Sequence, residues 1–120
     1  MAPALAATRH KIDARRLALM KDRATLNNIA PGSLVDHVAL QRELVSGRIS
    51  AVIDVGEPGV LPATSPLYTL PNVLLTSHIA GAVEYERQRL GSMAPGEVER
   101  FVKGLPLQHA AVAATLHFQA

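Results

Sequence analysis

At 120 residues, with 48% hydrophobic and only 3% aromatic side chains, the chain can bury one aliphatic core. Its net charge of +2 balances 12 basic against 10 acidic residues scattered along the chain, without the basic stripe or stacking aromatics of a nucleic-acid surface. The absence of cysteine excludes disulfide scaffolds and thiolate chemistry and fits a reducing cytoplasm, and no apolar run approaches the roughly 18 residues of a membrane span.

Asp13 predicts the N-cap of a short helix running to Met20, with Leu17 and Met20 on one face. Lys21-Asp22-Arg23 is a polar turn, and ATLNNI (24–29) reads as a strand. After Ala30-Pro31-Gly32, Asp36 caps a second helix whose apolar stripe is Val38, Leu40, Leu44 and Val45 and whose stop is Gly47. ISAVIDV (49–55) is a nearly continuous β-branched run, the mark of a strand covered on both faces. A loop rich in Pro and Gly, GEPGVLPATSP, comes next; PLYTL reads as a helical turn and NVLLT (72–76) as a third strand. From Ala82 to Lys103 the pattern is helical, but Pro95-Gly96 in a continuous helix costs about 4 kcal/mol, so two helices meeting near Ala94 are expected. The tail from Leu105 is weakly patterned.

Strands alternating with helices predict an α/β fold of parallel βαβ units with right-handed crossovers and helices on both faces. In such sheets ligands bind beyond the carboxyl ends of the strands. The unusual residues fall there: Ala30-Pro31-Gly32 follows the first strand, Asp54 ends the second and His78 ends the third. A lone imidazole at a strand end is more often a structural group than a reactive one. Three strand ends opening on one crevice make His78 a candidate for chemistry. No metal site is expected.

Three stretches then carry a resemblance: RHKIDARRLALMKDRATLNNIAPGSLVD, SGRISAVIDV and SPLYTLPNVLLTSHIAG. In this order they resemble the D-isomer-specific 2-hydroxyacid dehydrogenase family over roughly residues 2–107, in the C-terminal half of its NAD-binding domain. The resemblance implies a partial Rossmann-type domain at 1–107, about three parallel strands flanked by helices, and a weakly patterned tail at 108–120. It implies NAD as cofactor, a small 2-keto or 2-hydroxy acid as substrate, and an oxidoreductase reaction served by an Arg, a Glu and a His. His78 falls on the catalytic histidine, which also faces the cofactor. Asp54 falls on the acid that meets the nicotinamide carboxamide, Gly81 on a glycine near the cofactor, and Ala30 in the cofactor-facing loop. The Arg does not carry over, because the family's Ala-Arg-Gly is Ala30-Pro31-Gly32 here. The Glu position falls at Gly59, followed by Val60, while Glu57-Pro58 comes two residues early; Glu57 reads as an adjacent acid, the alternative being that slack in the loop lets it serve as the catalytic Glu.

The eight glycines never form G-x-G-x-x-G, and the resemblance places that phosphate-binding turn before Met1. The expectation is therefore a truncated dehydrogenase, inactive alone. Two further departures point the same way. Asn27 replaces an apolar strand residue, where a buried unpaired amide costs roughly 1–3 kcal/mol, and ATLNNI becomes an exposed sheet edge prone to homo-oligomers or aggregation. A non-catalytic dimerisation or binding remnant is the alternative reading.

Overall fold

The computed structural model describes residues 2–81 and 83–113. The chain divides into one compact unit ending at His78 and a second beginning at Ile79. In the first unit, helix α1 (Ala14–Ala18) precedes strand β1 (Thr25–Asn28), helix α2 (His37–Val45), strand β2 (Ser50–Ile53) and strand β3 (Val73–Leu75). Short 3-10 turns lie at Ala6–Thr8, Gly32–Leu34 and Pro66–Tyr68. The second unit is built on helix α3 (Tyr85–Val102).

Both predicted caps form. Asp13 accepts from the Arg16 amide and Asp36 from the Ala39 amide, each replacing a hydrogen bond that the first helical turn cannot make for itself. Gly47 follows α2 at φ 74°, a left-handed conformation that favours glycine. Arg48 then staples the end of α1, donating to the Met20 and Leu17 carbonyls at 2.6 and 2.7 Å while its Nε bonds Glu43. The Asn72 amide likewise donates to the Leu44 and Ile49 carbonyls at 2.9 and 2.7 Å, tying the start of β3 to the end of α2.

The three strands are parallel and lie in the order β1-β2-β3. Leu26, Ala51 and Val73 stand in register, as do Asn28, Ile53 and Leu75. On this face Ala51 and Ile53 join Leu17 of α1, Leu40 and Leu44 of α2, and Leu67 in one aliphatic core. The opposite row is Asn27, Val52 and Leu74, of which Leu74 is 58% exposed. The helices of this unit therefore gather on one face. The strand order β1-β2-β3 steps in one direction, and crossovers of the usual right hand then place the β1–β2 and β2–β3 connections on the same side. The apolar run of β2 does not mark double coverage within this unit. Of the predicted stripe of α2, Leu40 and Leu44 are buried, while Val38 and Val45 face solvent.

Two other expectations need correcting. Asn27 is exposed, so no buried amide is left unpaired there. The buried amide is Asn28, whose Nδ2 donates to the Val55 carbonyl and whose Oδ1 accepts from the Ala30 N–H. Helix α3 also runs unbroken through Pro95-Gly96. Proline deprives only the Gly91 carbonyl of its i+4 donor, and because no residue of α3 is buried, water can take that place. Ion pairs Glu86–Arg89 and Glu99–Lys103 support the turns on either side. The predicted start of this helix at Ala82 and the tail beyond residue 113 lie outside the described residues.

Candidate functional site

The carboxyl ends of β2 and β3 open into a cleft of about 680 Å³. Asp54, Gly59, Thr76 and His78 line it, with Ile53 and Leu75 supplying apolar wall. The backbone fixes this arrangement. Asp54 N–H donates to Asn28 at 3.0 Å and Thr76 N–H donates to Ile53 at 3.0 Å, so each strand exit is registered on its neighbour. The Asp54 side chain is buried at 5% exposure, and its carboxylate accepts a hydrogen bond from the Thr76 hydroxyl. A charge withdrawn from water needs such partners, because burial without them is costly.

His78 stands at the cleft rim, exposed, at φ 57°. A non-glycine residue in the left-handed region is uncommon, and such conformations cluster where the chain must aim a side chain. Ala30 lies half-buried at the end of β1. Gly81 belongs to the second unit. Gly59 lines the same cleft as His78, and a Cβ built there meets nothing within 4 Å.

Glu57 is placed elsewhere. Its Oε1 accepts from Arg9 at 2.6 Å, and its Oε2 lies 3.7 Å from His10. It lines a second cavity of about 280 Å³, together with His37, Gln41 and Leu61. Asp54, Gly59 and His78 thus share one cleft, and Glu57 faces another. Thr76 and Asn28, which set Asp54, are not singled out by the sequence. Thr76 has a signal, since it lies two residues before His78 at the same strand exit.

The second cavity also predicts a pH response. Burial pushes the His37 imidazole below the ordinary value of 6.5, outweighing Glu57, the Gly32 carbonyl and Asp36, which favour its charge; His10 acts weakly with burial. From pH 6.5 downward the unfolded chain therefore binds a proton that the folded chain refuses, and stability falls. The Arg9 guanidinium holds Glu57 below the usual carboxylate range, which adds a separate loss only below about pH 4.5. Thermal melting at pH 7.5 and 5.5 checks this. His37→Gln should flatten the difference, and an equal slope in both proteins would contradict the assignment.

Residues 1–80 match the sequence profile of the D-isomer specific 2-hydroxyacid dehydrogenase NAD binding domain. The chain belongs to this family. It is 42% identical over 93 residues to the glyoxylate/hydroxypyruvate reductase B of Pectobacterium atrosepticum, a stretch covering 77% of this chain and 29% of that protein. With the glyoxylate reductase of Thermofilum pendens it shares 41% identity over 98 residues, covering 81% and 29%. Among solved structures, a Thermus thermophilus protein superposes with a TM-score of 0.86 at 34% identity, over 93% of this chain and 36% of that one. A family dehydrogenase of Xanthobacter autotrophicus Py2, in complex with NADPH and MES, gives 0.77 at 34% identity, over 93% and 46%. This dehydrogenase-family chain therefore spans under a third of these curated relatives.

Proposed function

We propose that this chain forms the nicotinamide-side wall of an NAD-dependent dehydrogenase acting on a small 2-keto or D-2-hydroxy acid, with His78 as its proton carrier. One observation carries the reading: a buried carboxylate, Asp54, and an exposed imidazole, His78, share the cleft at adjacent strand exits. The residues present suit the nicotinamide end of the cofactor. Asp54 offers an acceptor to a carboxamide N–H, Thr76 fixes that acceptor's orientation, and Ile53 and Leu75 supply apolar wall for a ring. Ala30 would approach the cofactor through backbone. Bound NAD supplies the hydride. His78 gives a proton to the carbonyl oxygen as it becomes a hydroxyl, or takes it back in reverse. Acting in the cytoplasm follows from this reading.

The chain by itself holds too little of either reactant to turn over. Pro31 has no side-chain donor for a carboxylate, and Gly59 has no side chain to orient the imidazole. Binding of the nicotinamide end is the testable residue of function. Titrating the ¹⁵N-labelled chain with nicotinamide mononucleotide should shift the amides of Thr76 and His78. Asp54→Ala should weaken that binding 10- to 100-fold, the equivalent of one hydrogen bond to a charged group, about 1.5–3 kcal/mol. Shifts scattered away from the cleft, or unchanged by the variant, would overturn the assignment.

A non-catalytic dimerisation module is the second reading, favoured by β1 standing outermost in the sheet with Thr25 and Asn27 exposed. An open strand edge pairs readily with another. Light scattering should then show mass rising with concentration in the micromolar range. A constant monomer mass would remove this reading.

A further inference from the structure

We propose that His37 and Glu57 form a proton-responsive strut behind the loop at 56–61: when His37 gains a proton, Glu57 turns from Arg9 toward the imidazolium and the loop wall of the Asp54–His78 cleft moves.

His37 is a polar orphan. Among the described residues, neither of its ring nitrogens has a hydrogen-bond partner, and both are buried. A neutral imidazole tolerates this at modest cost, but a charged one carries two N–H donors that need acceptors. The charged groups that act on it are Glu57 from the loop after β2, Asp36 and, more weakly, His10, with the Gly32 carbonyl also favouring its charge, while the neutral side chains of Gln41, Thr64 and Ser65 line the same cavity. Asp36 caps the Ala39 N–H through Oδ1 and belongs to the helix start itself. Glu57 is the acid on the loop side: its Oε1 is held by Arg9 at 2.6 Å, while among the described residues its Oε2 has His10, 3.7 Å away.

Glu57 sits on a loop that is shared between the two cavities. Glu57 and Pro58 line the His37 cavity, Gly59 and Val60 line the Asp54–His78 cleft, and Leu61 lines both. The start of the loop is clamped, because Gly32 lies against Gly56 so closely that a Cβ on Gly32 would fall 2.1 Å from the Gly56 oxygen. Movement of this loop would therefore fall on Gly59, Val60 and Leu61. Among the described residues a Cβ at Gly59 meets no neighbour, and Val60 is 85% exposed. The cleft thus changes shape on the side facing His78 as the pH falls, whatever the cleft binds.

The test is an NMR titration of the ¹⁵N-labelled whole chain from pH 8 to 5, following the His37 ring and the backbone amides together. The amides of Gly59, Val60 and Leu61 should move with the midpoint of His37, while Gly56 stays still. Glu57→Gln should abolish the loop response and leave His37 titrating, and His78→Gln should leave the loop response intact. Loop amides that stay still while His37 titrates would overturn the strut in the wild-type chain alone. So would a response that persists in Glu57→Gln or disappears in His78→Gln.

Discussion

Gly32→Ala should destabilise the first unit by about 3 kcal/mol, a large share of the roughly 5–15 kcal/mol that holds a typical domain together. The new methyl carbon would stand 2.1 Å from the Gly56 oxygen, 2.4 Å from its carbonyl carbon and 2.9 Å from the Glu57 nitrogen. All three are backbone atoms, which cannot swing aside as the end of a side chain can. Relief would require separating the loop after β1 from the loop after β2, and these loops hold Ala30 on one side and Asp54 on the other. The Gly32 carbonyl also accepts from the Val35 N–H at 3.0 Å, so the turn that places Leu34 and Val35 in the interior would be strained too. Gly59→Ala serves as the control, since its methyl meets open space. Urea unfolding should show a much lower midpoint for the first variant and a change within about 0.5 kcal/mol for the second. Equal midpoints would mean that the two loops are not in backbone contact.

The contrast between these glycines shows how far the sequence can be read. Both look alike in a string of letters, because the neighbour that makes Gly32 irreplaceable is Gly56, 24 positions away. Local signals are legible. Asp13 and Asp36 announce helix starts, Gly47 a helix stop, and the three apolar runs give parallel strands. Properties that depend on partners are not. Pro95 looks like a break because its full cost applies to a helix that cannot lend its freed carbonyl to water. That Asp54 and His78 line one cleft can be anticipated from their strand ends. Nothing in the spacing of Glu57 shows that Arg9, 48 residues earlier, draws it to the other cavity. The buried orphan nitrogens of His37 are likewise invisible, because the residue reads as an ordinary first position of a helix.

By this reading the chain carries one wall of a dehydrogenase site and none of the means to close it. His78 can move a proton, and positioned proton transfer contributes about 10²–10⁴ to a rate. Holding cofactor and substrate at about 3–3.5 Å in line is worth roughly 7–11 kcal/mol more, far beyond what a proton carrier replaces. Substrate grip needs a forked donor such as Arg, and position 31 is Pro. Orientation of the imidazole needs an acid beside it, and position 59 is Gly, with Glu57 held by Arg9 at the other cavity. The double variant Pro31→Arg with Gly59→Glu should remain inactive as well, because it restores two side chains without a glycine-rich turn to hold the pyrophosphate. The decisive measurement is the absorbance of NADH in the presence of the 120-residue chain and small 2-keto acids, glyoxylate and hydroxypyruvate first, for both proteins. A flat trace for the wild type and for the double variant is the predicted result. Steady oxidation of NADH by the wild-type chain, abolished by His78→Gln, would contradict it.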